Sequence, residues 1–153
     1  AWMLFGLGAL LWGMVQPVLL WRLIVGPPLI ERLRPMLTIL LAPPSVGALA
    51  LVALAGWGPP SLAVYGLAAF LAATLAALLP GQMKAPFAMS WWGWTFPFAA
   101  FAAATIGAGH AYPGTALSLA GWAALIAATV IVAIVGVATL RAAVAGHLLM
   151  PEG

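Results

Sequence analysis

The sequence predicts an all-α, polytopic membrane protein with five transmembrane helices, and three observations carry that prediction. Hydrophobic residues make up 66% of the chain and charged residues 5%, with a mean hydropathy of +1.19. A soluble domain carries about 25% charge, so this chain has too few charged groups to cover a water-facing surface. Five apolar stretches are long enough to cross a hydrocarbon core about 30 Å thick, which takes roughly 20 helical residues. The breaks between them are short and punctuated by Gly and Pro. Strands of a membrane barrel would be about 10 residues long with strict alternation. These runs are longer and do not alternate.

The first span covers about Trp2 to Val25 and ends at GPPLIERLRP, Gly26 to Pro35. The second covers about Pro35 to Ala55, before GWGPP. The third covers about Ser61 to Leu79, before PGQMKAP. The fourth covers about Phe87 to Ala108, before GHAYPG. The fifth covers about Thr115 to Leu140, with an option to continue to Leu149. Loops this short make sequential helices antiparallel neighbours. Arg22, Arg32, Arg34, Lys84 and Arg141 all fall on one side of this arrangement. Positive charge marks the cytoplasmic side, so the C-terminus is expected inside and residue 1 outside. The chain opens at Ala1 with no Met and no basic stretch before the first apolar run. The expectation is that an odd number of earlier spans precedes it.

Spans two and four run in the same direction, and both are interrupted by proline, in LAPPSVG and TFPFA. Spans three and five are read as smooth, without internal proline. The pattern is a kinked helix followed by a plain one, used twice. A helical proline frees the carbonyl four residues back: Gly93 for Pro97, and Ile39 and Leu40 for Pro43 and Pro44. In hydrocarbon such a carbonyl is tolerated when buried in protein or facing a water-filled cavity. Two bent helices can surround a cavity, or the prolines can serve ordinary packing. Trp91 and Trp92 lie near the start of span four and suit an interfacial belt. Phe96 lies deeper, about 14 Å past Phe87 at ~1.5 Å per residue, too deep for the belt. It packs between helices or projects into a central space. Ala100 and Ala103, at i+4 and i+7 from Phe96, leave room for a path or for a close helix partner, and composition favours the partner. Thr38 and Ser45 share a face of span two, seven residues apart, and are candidate pore-lining groups.

This chemistry excludes several function classes. The net charge of +3 is too sparse for nucleic-acid binding. There is no cysteine, and no Asp, Glu or Lys lies within a span, so general acid/base and thiolate catalysis lack their groups. An enzyme is not expected, and no cofactor is implied. His110 and His147 each stand alone, and Glu31 and Glu152 lie at the membrane edge, which leaves no metal site. A passage without carboxylates does not repel anions, and basic residues at its inner mouth raise their local concentration.

LRPMLTILLAPPSVGALA (Leu33 to Ala50), SWWGWTFPFAAFA (Ser90 to Ala102) and FGLGALLWGMVQPVLLWRL (Phe5 to Leu23) resemble the tellurite-resistance/dicarboxylate transporter family, which includes the plant slow-type anion channels. The resemblance implies ten helices in five hairpins around a central pore, with the inner helix of each hairpin lining it and a homotrimeric assembly. The chain then corresponds to helices six to ten, with spans two and four as inner helices. It implies that Phe96 is the ring that plugs the pore, with Thr38, Pro43, Pro44, Ser45, Pro97, Ala100 and Ala103 as lining or kink residues. The implied substrates are small anions: a dicarboxylate such as malate, chloride or nitrate, sulfite, or tellurite-related species. The implied location is the cell's inner, or plasma, membrane, with the lipid bilayer as surroundings. The competing readings are a non-conducting membrane scaffold and a proton-coupled carrier. The latter would need an intramembrane acid or histidine that these spans lack.

Overall fold

The computed structural model describes residues 1–83 and 86–146, so Lys84, His147, Glu152 and any extension of the fifth span to Leu149 lie outside the described residues. Among the described residues there are five α-helices and no strand. They are α1 (Trp2–Val25), α2 (Ala42–Ala55), α3 (Pro59–Gln82), α4 (Thr95–Ala111) and α5 (Leu117–Val144). A 3-10 helix, Glu31–Leu41, runs directly into α2, and a second, Met89–Trp94, runs directly into α4. Trp2–Val25, Glu31–Ala55, Pro59–Gln82 and Leu117–Val144 are each long and apolar enough to cross a membrane. The chain is thus an all-α polytopic membrane protein. The fourth span differs from these. Its α-helical part has 17 residues, about 25 Å, short of a ~30 Å core. The six residues of 3-10 helix ahead of it, at ~2.0 Å each, add about 12 Å and complete the crossing.

The prolines occupy different places from those expected. Pro43 and Pro44 fall in the first turn of α2, and Pro97 in the first turn of α4. They begin α-helices and do not interrupt them. The physical reason is that the first N–H groups of an α-helix have no intrahelical partner, so a proline there loses nothing. The repeated design is therefore a 3-10 helix, then proline, then an α-helix. Pro80, read as part of a loop, lies inside α3, which continues to Gln82. Its missing N–H removes one backbone bond close to the helix end. The smooth third span consequently does contain a proline.

The core lies between α2, α3 and α4. Leu41, Ala68, Ala72 and Leu75 pack with Phe98 and Phe101, and Ala48, Tyr65, Ala104 and Ala108 pack with Trp57, Phe101 and Leu117. The Tyr65 ring stacks on Phe101 at 6.1 Å, and its hydroxyl donates to Thr105 Oγ1 at 3.2 Å. Antiparallel hairpins require alternate connections to share an end, and they do. Trp57 meets Tyr112 at 6.3 Å at one end. At the other, the Ser90 hydroxyl donates to the Arg32 carbonyl and Trp92 Nε1 donates to Thr139 Oγ1. Helix α1 has no buried residue and lies along a groove lined by Phe5, Trp12, Pro43 and Val46.

Helices α4 and α5 approach most closely where glycine removes the side chain. A β-carbon on Gly121 would stand 3.0 Å from Ile106 Cα, and one on Gly109 would stand 2.9 Å from Ser118 Cα. Both obstacles are backbone, which cannot swing away. Gly121→Ala should therefore lower the melting temperature of the purified protein, by the equivalent of about 1–3 kcal/mol of overpacking. Gly136→Ala, whose β-carbon meets nothing within 4 Å, should leave it unchanged or raised. Equal melting temperatures for the two variants would contradict this packing.

Candidate functional site

Spans two and four cross at their 3-10 helices. The Gly93 carbonyl, four residues before Pro97 in the second 3-10 helix, is met from the other span. Thr38 Oγ1 lies 2.8 Å from Gly93 O and 2.7 Å from Pro35 O. A hydroxyl has one proton, so it is shared between the two carbonyls. Thr38 is fully buried. The two backbones pass close here: a β-carbon on Gly93 would stand 3.4 Å from Pro35 O and Met36 Cα, in van der Waals contact. Of the two ways to satisfy a freed carbonyl, the protein uses a buried side chain from a neighbouring span. Ser45 acts within its own helix, donating to the Leu41 carbonyl at 2.8 Å.

The structure divides the sequence-derived residues into two groups. Thr38, Pro44, Ser45, Pro97 and Ala100 are buried between helices. Pro43 is half-buried beneath α1. Phe96 is 61% exposed, and Ala103 is exposed. At 100° per residue, Ala103 stands almost directly along the helix from Phe96. Ala100 lies on the packed flank, and Ala99 takes its place on the open face. The expected Ala100–Ala103 stripe is thus split between a buried and an open side.

The open faces differ in character from helix to helix. On α1 the exposed residues include Leu10, Leu11, Met14, Val18 and Trp21, and on α5 they include Leu119, Trp122, Ile126, Val130 and Leu140. On α4 the one large exposed apolar side chain is Phe96, among Ala99, Ala103 and His110. On α2 it is Val46, with Ala53 and Ala55. Bulky aliphatic residues suit acyl chains, whereas the α2 and α4 faces are shallow, with a single ring standing out from α4.

Gln82 is a residue that sequence reasoning missed. It is 3% exposed, and its Oε1 accepts the Trp94 indole N–H at 3.0 Å. A signal was available. Ser61, Tyr65, Ala68, Ala72, Leu75 and Gln82 are the buried residues of α3; they are spaced by threes and fours to Leu75, and Gln82 follows seven residues, two turns, later on the same face. Assigning GQMK to a loop hid it. Among the described residues no three His, Cys, Asp or Glu side chains converge as metal ligands.

Thr38→Val removes the donor and keeps the shape. It should destabilise the protein by about 0.5–2 kcal/mol, the range for interhelical hydrogen bonds in membranes. Thr38→Ser should retain most of the stability. Thermal unfolding in detergent measures both, and a Val variant as stable as the Ser variant would show that the shared proton contributes nothing.

The family model for voltage-dependent anion channels (SLAC1) matches residues 1–140. No curated protein and no solved structure matches the chain. The match takes in spans two and four, their 3-10 crossing and nearly all of α5. The chain belongs to the voltage-dependent anion channel family.

Proposed function

We propose that this chain forms one side of a conduit for small anions, with α2 and α4 as its wall and the Phe96 ring as the occluding gate. The family supports anion transport, not catalysis, as the general activity. The observation that carries the finer reading is the α4 face, where small residues surround one exposed ring, against the bulky apolar residues of α1 and α5; α3 also exposes a ring, Phe70, but beside Leu67 and Leu78. A lipid-facing surface gains from bulk, and a passage needs room. The buried prolines and Thr38 set the bend and register of the wall. Phe96 and Ala103 face the path.

The electrostatics favour anions. No carboxylate lies within α2 or α4. Glu31 is exposed at the membrane edge and pairs with Arg34 at 3.5 Å, a contact worth little in water. Arg32 and Arg34 at the end of the 3-10 crossing raise anion concentration at that mouth. In this reading the basic end is cytoplasmic, the membrane is the cell's inner membrane and the working unit is a homotrimer. The substrate belongs to the small inorganic anions or dicarboxylates.

The test is anion flux into liposomes containing the full-length protein. Phe96→Ala should raise flux several-fold with folding intact, and Ala103→Leu added to it should bring flux down again. Unchanged flux in well-folded Phe96→Ala protein would remove the gating role. Absence of flux in every variant would favour a scaffold.

A further inference from the structure

We propose that Gln82 is a positioning residue for the Phe96 ring: by accepting the Trp94 indole N–H, it latches the second 3-10 helix to the end of α3. The inference deepens the gating reading and rests on it. Trp94 is the last residue of that 3-10 helix, and Phe96 follows two residues later as the second residue of α4. Whatever fixes Trp94 fixes the direction in which Phe96 leaves the crossing.

The hydrogen-bonding chemistry determines how the latch is made. An indole N–H only donates, so the Gln82 oxygen must face Trp94 and the amide nitrogen must face elsewhere. That nitrogen is buried and has no partner among the described residues. The Trp91 ring lies 4.8 Å from Trp94, and its Nε1 is buried without an acceptor among the described residues. Gln82, Trp94 and Trp91 thus follow one another in contact, with three buried donor nitrogens among them and one hydrogen bond, from Trp94 to Gln82 Oε1. A fully bonded polar cluster at this depth would be rigid. Among the described residues this one is held by a single bond and has two donor nitrogens without an acceptor, the condition of a latch that closes but also releases.

The opposite side of the same segment is pinned by Thr38 at Gly93, the residue immediately before Trp94. Two consecutive residues are thus held from two different spans. With the Gln82 bond broken, the Thr38 contact at Gly93 and the Ser90 and Trp92 bonds still hold the start of the segment, so its Trp94 end is the part released to shift, and Phe96 moves with it. Gln82 thereby controls the gate from α3 without entering the path.

The experiment uses the full-length protein in liposomes for flux and in detergent for melting temperature. Gln82→Met keeps the length and removes the acceptor, and Trp94→Phe removes the donor. Each should raise anion flux several-fold, the double variant should raise it no further than the larger single effect, and neither should add to Phe96→Ala. Their effects on melting temperature should likewise be less than additive. If Gln82→Met and Trp94→Phe lower the melting temperature while flux stays at the wild-type level and Phe96→Ala raises it, Gln82 is a packing residue and the latch is overturned with the gate intact. If Phe96→Ala itself leaves flux unchanged, the gate reading fails first and the latch falls with it. Should Trp94→Phe not fold, Gln82→Met alone decides.

Discussion

One proton on Thr38, shared between the Pro35 and Gly93 carbonyls of two different spans, is the constraint on which the rest of the arrangement depends. In hydrocarbon no water is at hand to satisfy a bare carbonyl. The donor must come from a side chain, and it must arrive at the right depth. That requirement sets the register of spans two and four. Thr38 has to stand level with Gly93, which brings Pro35 and Met36 against the glycine and the Arg32 carbonyl to the Ser90 hydroxyl. Once the crossing is so placed, the first turn of α4 leaves it at a fixed angle, and the Phe96 ring stands clear of the packed flank.

The same solvent explains how the helices hold together. Lipid tails are as apolar as leucine, so burying aliphatic surface between helices gains little. Close backbone approach and hydrogen bonds carry more of the association. The glycines at 109 and 121 bring α4 and α5 together, alanines fill the core against Tyr65 and Phe101, and hydroxyls of Thr38, Ser45 and Thr105 answer backbone carbonyls. Large aliphatic side chains are left for the outer surfaces of α1 and α5. A passage through such a protein has to be made where neither bulk nor tight packing is present, and the α4 face bearing Ala99 and Ala103 meets that condition.

Much of this was legible in the residues. Composition and span length led to the all-α membrane class, because the cost of burying charge in lipid leaves little freedom in sequence. The Gly93 carbonyl was identified from Pro97 by chain geometry alone. What answers it was not, because Thr38 lies 55 positions away and pairing between spans leaves no trace in local pattern. The prolines were read as kinks because a stretch of 3-10 helix ahead of them has nearly the same apolar signature as α-helix. The split between Ala100 and Ala103 followed from which flank of α4 the neighbours cover, a matter of tertiary packing. Gln82 was hidden by a helix that runs on past Pro80.

The most direct measurement uses the absence of cysteine from this sequence, with any cysteine elsewhere in the full-length protein replaced by serine. Cysteines placed one at a time at Ala99, Ala103, Val130 and Ile126 in the full-length protein, in a Phe96→Ala background, are exposed to a water-soluble thiol reagent in intact membranes. The account predicts rapid modification at Ala99→Cys and Ala103→Cys, with block of anion flux, and protection at Val130→Cys and Ile126→Cys on the outer face of α5. Protection at both α4 positions, or equal reaction at all four, would contradict it.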